Sequence, residues 1–386
     1  MPTHTIAIVS DTHADERSRW DEHCRVMDWI VADMAARNVN LTIHAGDIYE
    51  GTSTPRERDY VQRWCSGVCE SSPLIIVGGN HEQEGDVTAL GRLRTNYPIC
   101  ATERPIMEEL AGVVVAALPW PRKAELLARI GRAVPTHESD AVAAEELRTV
   151  LRGFSASMHA AQERDQPTIL AAHALVDGCV TDHDQPLAGL ALSITIADLA
   201  LSGAASAALG HIHEGARNAW QAPIPAVYCG SPRHCNYGEP GPHKGYVLAH
   251  YDGARFLGWE RVATPCRPMI LISGRYSAGA IRFNPPADRA LVGADVRLRY
   301  KVRTEERAAA AVEERSIRAA LLAMGAAHVR IEADPVTIAV ARSPEVARAE
   351  STEMQLLAMW EMRGMHPPDE RAELLCMLAE IEDAAA

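Results

Sequence analysis

The sequence predicts an α/β fold in which strands and helices alternate along about the first two thirds of the chain. The 386 residues are 47% apolar and 23% charged, the composition of a globular protein with a sizeable core. Short β-branched runs alternate with segments whose apolar residues recur every three or four positions, a pattern typical of strands followed by amphipathic helices. No apolar run reaches about 18 residues and no basic leader precedes the first strand, so we expect a cytoplasmic protein without a membrane span. Nine scattered cysteines without a CxxC pair favour reduced thiols.

The strands are predicted where apolar β-branched residues cluster between turn residues. The first helix is marked by apolar residues spaced at helical intervals from Trp20 to Met34, which would pack one face on a sheet. Residues 122–164 are predicted to form a mostly helical insertion without a chemical motif. The predicted strands are Thr5–Asp11, Leu41–Asp47, Pro73–His81, Val113–Pro119, Thr168–His173, Ala205–Gly210, Pro225–Ser231, Gly245–Tyr251 and Phe256–Val262.

Charge divides the chain into three blocks, which we interpret as three domains. Residues 1–266 carry 22 basic and 33 acidic groups, residues 267–342 carry 13 and 8, and residues 343–386 carry 3 and 10. The middle block is predicted to be a compact unit of strand, helix and strand, and the last block to hold two short helices. With a net charge of −13, the chain is not suited to binding nucleic acid through its overall charge, so any such contact must be local.

Polar residues with metal-binding side chains follow the predicted strands. In open α/β sheets the carboxyl ends of the strands border one crevice, so segments distant in sequence meet there. One aspartate or histidine at such a place is more often structural, but five segments in this order argue for a shared site. The candidates are Asp11 and His13, Asp47, Asn80 and His81, His173, and His211 and His213.

These residue types suit a pair of divalent cations. Two ions about 3.5–4 Å apart need oxygen and nitrogen ligands and a carboxylate that bridges them. Asp47, in the middle of the set, is the natural bridge. Carboxylates, an amide oxygen and imidazoles without thiolates favour manganese or iron over a structural zinc. Such a pair activates water near neutral pH and holds the oxygens of an in-line phosphoryl displacement.

The order D-x-H, GD, GNH, H and GHxH resembles that of the calcineurin-like metallophosphoesterases, and more closely that of the SbcD-like DNA repair exonucleases. The closer likeness depends on Ala208–His213, on Tyr228–Arg233, and on Gly238 and Glu239 followed by Lys244–Tyr246. The resemblance implies a four-layer α/β/β/α metallophosphoesterase sandwich, followed by a small α/β cap that guides DNA and by C-terminal helices. It covers the first domain by its motifs and the rest only by domain order.

The resemblance also implies a role for each residue of the site. His81 would be catalytic and would contact the scissile phosphate rather than a metal. Glu50 stands where family members often carry Asp or His. One metal would be held by Asp11, His13, Asp47 and His213, and the other by Asp47, Asn80, His173 and His211.

The expected activity is that of a manganese-dependent DNA nuclease, a hydrolase with 3′–5′ exonuclease and single-strand endonuclease activity. The chain would be the nuclease subunit of an SbcCD-like DNA repair complex, with an SbcC-like SMC-family ATPase as its partner. Two alternatives stay open, a small-molecule phosphodiesterase or phosphatase of the same fold and a non-catalytic protein-binding scaffold. The complete ligand set argues against the scaffold, while the cap and the acidic tail argue against the small-molecule enzyme. The sequence leaves open whether the chain forms a homodimer.

The strand predicted at Ala294–Arg303 alternates apolar and basic residues, which puts its cations on one face. Contact with a DNA backbone explains this pattern, and the solvated face of an edge strand explains it equally well. The positive charge of the middle block favours DNA. With only three Phe, the chain predicts no stacking platform for single strands. The candidate DNA-binding residues are Arg297, Arg299, Lys301 and Arg303.

The last block is predicted to bind a partner protein. Its two helices carry apolar, methionine-rich stripes but include too few residues to form a core. Because the block is acidic, we expect a protein rather than DNA to cover these stripes, unless they pack on their own chain. The candidate partner-binding residues are Met354, Leu357, Trp360, Leu374, Leu378 and Ile381.

Overall fold

The computed structural model describes residues 3–131, 133–180, 192–237, 239, 244–284, 288–336, 349 and 351–385. The strands are β1 (His4–Val9), β2 (Leu41–His44), β3 (Leu74–Val77), β4 (Ile99–Thr102), β5 (Ile106–Leu110), β6 (Val113–Leu118), β7 (Thr168–His173), β8 (Leu175–Val176), β9 (Ser193–Ile194), β10 (Ser206–Gly210), β11 (Ala219–Trp220), β12 (Ala226–Tyr228), β13 (Gly245–Asp252), β14 (Arg255–Ala263), β15 (Met269–Ser277), β16 (Ala280–Phe283), β17 (Asp295–Arg303) and β18 (His328–Val336). The α-helices are α1 (Trp20–Ala36), α2 (Pro55–Val68), α3 (Asp86–Leu90), α4 (Lys123–Ile130), α5 (Ser139–Glu163), α6 (Ile196–Ala200), α7 (Asp288–Leu291), α8 (Arg307–Ala323), α9 (Thr352–Arg363) and α10 (Pro368–Ala385).

Two six-stranded sheets form the centre of the fold. The first has the order β14-β13-β1-β2-β3-β4, in which β1 to β4 run parallel and β13 and β14 complete the sheet in antiparallel fashion. The second has the order β11-β12-β10-β7-β6-β5, with a parallel centre and antiparallel outer strands. In each sheet the parallel strands end at the same edge, which is where a binding crevice is expected.

Three apolar cores hold the layers together. One lies between the sheets and contains residues of both, among them Ile8, Ile43, Val115 and Ile169. The second joins the first sheet to α1, α2 and α3, and the third joins the second sheet to α4, α5 and α6. Burying each such Ile or Val contributes about 1.5–3 kcal/mol relative to leaving it exposed. The four-layer α/β/β/α architecture predicted from the sequence is therefore confirmed.

The sequence at the start of helix α2 explains where this helix begins and how it is attached to the loop after β1. The Thr54 hydroxyl accepts the Glu57 N–H at 3.3 Å, and the Glu57 carboxylate accepts the Thr54 N–H at 2.7 Å, which is a capping box. Pro55 occupies the first turn, where its missing N–H costs nothing. The same Glu57 accepts the Glu16 N–H at 2.8 Å and so ties the helix to the loop after β1.

Four longer strands, β4, β5, β15 and β16, were not predicted from the sequence. Strands β4 and β5 lie at sheet edges and are mostly half-buried, so their polar residues weaken the strand pattern. Strands β15 and β16 form an antiparallel hairpin in which Arg275 lies opposite Arg282 in the strand register. In β15, Gly274 and Arg275 interrupt the apolar run and weaken the strand pattern. Helices α4 and α5 occupy the insertion that was predicted to be helical.

The chain divides into two compact units. The first comprises Met1–Ser273, Asn284–Leu298 and Ile317–Ile331, and the second Gly274–Phe283, Arg299–Ser316 and Glu332–Ala386. A third sheet has the order β16-β15-β17-β18, and the two helices predicted for the last block are α9 and α10. The domain bounds at 266 and 342 stay a prediction. Among the described helices, none combines the length and apolar character that crossing a membrane requires.

Candidate metal centre

The predicted metal ligands lie where five parallel strands end. Strands β1, β2 and β3 of the first sheet lead into the segments of Asp11, Asp47 and Asn80. Strand β7 ends at His173, and β10 leads into His211 and His213. Because the sheets pack face to face, residues up to 200 positions apart in sequence come into contact. The structure thus brings all seven predicted ligands and His81 to one place.

Asp11, His13 and His213 form one group, whose ligand atoms lie within 4.8 Å of one another. The two Nε2 atoms of His13 and His213 are 2.9 Å apart. Asp11 is fully buried, and its Oδ1 accepts the His211 N–H at 2.9 Å, which connects the loops after β1 and β10. Two imidazole nitrogens at this distance compete for one proton, whereas a cation would satisfy both.

Asp47, His173 and His211 form a second group within the same distance limit. Asn80 completes it, because its Oδ1 lies 3.0 Å from His173 Nε2 and 2.9 Å from His211 Nδ1. The other ring nitrogen of His173 lies 2.8 Å from the Ala45 carbonyl, to which it donates, so Nε2 is the nitrogen that faces the group. The group offers two oxygens and two nitrogens, a donor set that suits manganese or iron.

Asp47 lies between the two groups, and its two oxygens have different tasks. Oδ1 accepts the N–H groups of Asn80 at 2.8 Å and His81 at 3.1 Å. Oδ2 lies 3.3 Å from His173 Nε2 and 3.8 Å from His13 Nε2. The backbone of the loop after β3 therefore orients the carboxylate, and Oδ2 is the atom that can serve both groups.

Burial and neighbouring charges shift the pKa values in this centre. Burial opposes ionisation of Asp47, but His173 and His13 hold its pKa well below the usual range. Burial alone would lower the pKa of His173, yet Asp47 raises it to about 9. Burial and the nearby His173 lower the pKa of His211 to about 4. Without a cation, the Asp47 carboxylate and the His173 imidazolium thus pair, and a bound metal would replace the His173 proton.

The close packing of the loops depends on glycine. A Cβ on Gly79 would lie 2.0 Å from Asp47 Oδ1, and one on Gly46 would lie 2.1 Å from His173 Nδ1. Asp11, His13 and Asp47 have φ angles of 51°, 46° and 54°, in the left-handed region that such residues seldom adopt. Strain of this kind persists only where the surrounding fold holds it, and it concentrates at functional sites.

Charged residues next to the ligands hold them in place, and these contacts could not be predicted from the sequence. Glu239 Oε1 lies 3.1 Å from His213 Nδ1, and Lys244 Nζ lies 2.7 Å from the other oxygen. Burial would raise the pKa of Glu239, but these two partners lower it to about 2. Arg233, 2% exposed, donates to the His13 carbonyl at 3.1 Å. The carboxylate of Glu82 accepts the Ile48 and Gly79 N–H groups, so it holds the backbone of the metal loops.

His81 and Glu50 lie at the open side of the centre. His81 Nε2 is 3.9 Å from Asp47 Oδ2, and Nδ1 is 2.9 Å from the Glu50 carbonyl oxygen. Because a carbonyl can only accept, Nδ1 carries a proton and Nε2 is left to face the site. The Glu50 carboxylate lies 2.7 Å from His13 Nδ1, and this contact lowers the pKa of Glu50. His81 also groups with His13 and Asp47 within coordination reach, so its role as a non-ligand stays a prediction.

The candidate DNA-binding and partner-binding residues lie in other parts of the chain. On β17 the apolar residues from Val296 to Val302 are buried, while Arg299, Lys301 and Arg303 are exposed and Arg297 is half-buried. On α9 and α10, Met354 is exposed and Leu357, Leu374 and Leu378 are half-buried, while Trp360 is buried, its ring centre 5.5 Å from that of His366. The side chain of Ile381 lies outside the described residues.

The donor set fits two divalent cations. Converging nitrogen and oxygen atoms form two groups joined by one carboxylate, and glycines leave room where a Cβ would fill the space. Asp11, His13 and His213 would hold one ion, Asn80, His173 and His211 the other, and Asp47 both. Cys235 groups with His213 and Glu239, and it belongs to neither of the two ligand groups described above, so these two groups contain no thiolate.

A protein-family model and several solved structures match this chain. A family model described as calcineurin-like phosphoesterase matches residues 4–215, more than half of the chain. Among solved structures, a dimetal phosphatase from Danio rerio is 14% identical, with a TM-score of 0.41 over 68% of this chain and 99% of its own. GAP50, the anchor in the inner membrane complex of Plasmodium, is 10% identical, with a TM-score of 0.41 over 68% of this chain and 85% of its own. No curated protein matches the chain.

Proposed function

The chain belongs to the calcineurin-like phosphoesterase family, and from this premise we propose that it is a manganese-dependent DNA nuclease. Family membership makes it a metal-dependent phosphoester hydrolase. The proposal adds manganese as the metal, DNA as the substrate, and 3′–5′ exonuclease and single-strand endonuclease activity. The main support for hydrolytic activity is the position of Asp47 Oδ2 between two complete groups of ligand atoms.

The chain's own residues orient the substrate and exchange protons. When bound, two divalent ions lower the pKa of water and offset the charge of a phosphodiester. His81 Nε2 faces the open side and, when protonated, donates to the scissile phosphate or to the leaving oxygen. The Glu50 carbonyl keeps the other His81 proton on Nδ1, so the ring presents the same nitrogen throughout the reaction.

The basic face of β17 supports DNA as the substrate. Three of its four cations are exposed while the intervening apolar residues anchor the strand, an arrangement suited to successive backbone phosphates. A half-buried Arg297 packs over the ring of Tyr237 at 5.6 Å, which fixes the start of this row. A long polyanion can contact several cations of this row at once, whereas a small phosphoester needs only the metal centre.

The C-terminal helices support a protein partner. Met354, Met362, Met365 and Met377 are each at least 40% exposed on or beside α9 and α10. Methionine adapts its shape to a partner surface, and the block that carries these residues is acidic. We therefore propose that α9 and α10 bind the SMC-family ATPase of an SbcCD-like DNA repair complex.

One experiment separates the proposal from its alternatives. The purified chain is loaded with manganese and given linear duplex DNA, single-stranded DNA circles and bis-p-nitrophenyl phosphate, with Asp47→Asn as the control for contaminating nucleases. A nuclease degrades both DNAs and the small ester, and all three activities vanish in the control. Cleavage of the small ester alone would identify a small-molecule phosphodiesterase. A chain that binds metal but cleaves none of the three would be a scaffold.

A further inference from the structure

The hairpin of β15 and β16 places basic residues beside β17, and neither of its strands was predicted from the sequence. Arg275 of β15 lies opposite Arg282 of β16 in the strand register. A two-residue turn joins the strands, and its Ala278 and Gly279 have φ angles of 49° and 75°, as in a type I′ turn. Because such a turn fixes the register, the two arginines are held opposite each other.

Strand β17 lies on the other side of β15 and runs parallel to it. At the start of the two strands, the Asp295 N–H donates to the Pro268 carbonyl at 2.9 Å. Further along both strands, a Cβ on Gly274 would lie 3.3 Å from the Cβ of the fully buried Tyr300. Both contacts advance in the same direction along the two strands, which is the register of a parallel pair.

Arg282, Arg275 and Lys301 form a row across three neighbouring strands, which we call the transverse basic row. Arg275 and Lys301 directly follow Gly274 and Tyr300, and side chains alternate along a strand, so both lie on the face opposite the buried Tyr300. All three side chains of the row are exposed. Adjacent strands are about 4.8 Å apart, so the three cations start from closely spaced backbone positions.

The transverse basic row carries positive charge that its described neighbours do not offset. Arg275, Arg282 and Lys301 make no side-chain hydrogen bond or ion pair with the part of the chain that the structure describes. Arg299, two residues before Lys301, differs because Asp334 lies 3.8 Å from it. Like charges opposite each other on neighbouring strands destabilise a sheet, and a bound anion would remove this cost.

A groove of about 500 Å³ lies at the carboxyl ends of β15 and β17 and includes part of this row. Arg275, Lys301 and Arg303 line the groove, and Glu306 is the single acidic residue among the described residues that line it. Arg303 is exposed and likewise has no ionic partner among the described residues. The groove therefore has a net positive charge and is large enough for a phosphate with its sugar.

We propose that the transverse basic row and this groove bind the DNA backbone, which passes from Lys301 over Arg275 to Arg282. The inference rests on the proposed nuclease function and adds two contact residues, Arg275 and Arg282, to those predicted on β17. Guanidinium groups bind phosphate oxygens strongly, and such contacts hold DNA without reading its sequence. A duplex carries one charge per about 1.7 Å of its axis, which suits closely spaced cations on several strands better than the sparser charges of an acidic peptide.

The test measures binding of a fluorescent DNA duplex by anisotropy over a salt series, without divalent cations so that no cleavage occurs. Arg275→Ser with Arg282→Ser should lower the slope of log affinity against log salt by about 2, because two phosphate contacts are lost. The ratio of wild-type to variant affinity should therefore shrink about tenfold between about 50 mM and about 200 mM salt. Arg275→Lys with Arg282→Lys should keep most of the slope, because the charge remains.

Arg92→Ser with Arg94→Ser is the matched control. Both arginines are exposed, belong to the first compact unit and have no ionic partner among the described residues, so this variant loses the same charge and should keep the wild-type slope. An unchanged slope in the Arg275 and Arg282 variant, or an equal loss in the control, would overturn the inference.

Hydrolysis of bis-p-nitrophenyl phosphate with manganese separates this inference from the proposed function. The Arg275 and Arg282 variant should hydrolyse the ester within about twofold of the wild-type rate, since exposed substitutions leave the fold intact. A wild-type protein that hydrolyses neither DNA nor the ester would overturn the proposed function instead. The salt slopes, which are measured without catalysis, decide the inference in either case.

Discussion

At the metal centre, Asp11, Asp47 and His173 are at most 1% exposed, and each is held by at least one hydrogen bond to backbone. Along β17, by contrast, Arg299 and Lys301 extend into solvent, and the nearest carboxylate to Arg299 is Asp334 at 3.8 Å. Coordination of a metal pair requires ligand positions fixed to a fraction of an ångström, which only burial and backbone hydrogen bonds provide. Contact with a polyanion requires charge at the right spacing, which an exposed strand supplies while its side chains remain mobile. Substitutions should therefore have large, specific effects at the centre and small, additive effects on the strand.

The largest effect is expected from Asp47→Ala. It removes the oxygen that serves both groups and the acceptor of the Asn80 and His81 N–H groups, so activity should fall below detection and bound metal should drop. Asp47→Asn, which keeps an Oδ1 acceptor, should retain the loop and still lose activity. Metal analysis by mass spectrometry gives the readout, and a variant with full metal content would contradict the bridging role.

His81→Ala should lose about 10²- to 10⁴-fold in rate while keeping both metals, because it removes a proton donor and leaves the seven ligands intact. Rate and metal content are measured on the same sample. If the variant also lost metal, His81 would be a ligand, as its grouping with His13 and Asp47 allows.

Gly79→Ala tests whether close packing sets the geometry of the centre. The added Cβ would lie 2.0 Å from Asp47 Oδ1, so the carboxylate must move, and we expect about 10- to 100-fold weaker metal binding. Gly51→Ala is the matched control, because no atom lies within 4 Å of its Cβ. Similar metal affinities in the two variants would show that the loops adjust more easily than their packing indicates.

Replacing Arg297, Arg299 and Lys301 with Ser should weaken DNA binding moderately. Each lost phosphate contact lowers the slope of log affinity against log salt by about 1, so the difference from wild type should be greatest at low salt. The ratio of DNA cleavage to bis-p-nitrophenyl phosphate hydrolysis is the measured quantity. An unchanged ratio and slope would identify β17 as a solvated edge strand.

The smallest effect on hydrolysis is expected from Met354→Asp with Met377→Asp on α9 and α10. Both side chains are more than 50% exposed, so the helices should fold as before and rates on small esters should stay within about twofold. Co-purification with the SMC-family ATPase should be lost. Retained binding would place the partner surface elsewhere, and circular dichroism distinguishes lost contact from lost helix. Buried Trp360 is unsuitable for this test, since its removal would disturb the helical pair itself.

The sequence alone predicted most of the first two sheets and the residues that gather at their shared edge. Strands such as Thr168–His173 are continuous apolar runs because they are buried on both faces, and a histidine or aspartate at the end of such a run is conspicuous. The carboxyl ends of parallel strands lie at one edge of the sheet. Motifs that each follow such a strand were therefore expected to lie close together. The edge strands β4 and β5 were missed because half-buried residues produce no strong pattern.

Only the tertiary structure decided how these residues are held and what surrounds them. Arg233 and Glu239 lie in segments that the family resemblance uses, and Trp120 lies in none of them. In no case does the sequence show the contacts of these residues with His13, His213 and His211, which span 220, 26 and about 90 positions of sequence. The left-handed backbone at Asp11, His13 and Asp47 could not be anticipated either, since only a few per cent of non-glycine residues adopt it and no sequence pattern marks which ones do. Sequence patterns report the burial and chemistry of each segment, whereas the distances between segments, and the strain that those distances impose, arise only when the two sheets pack together.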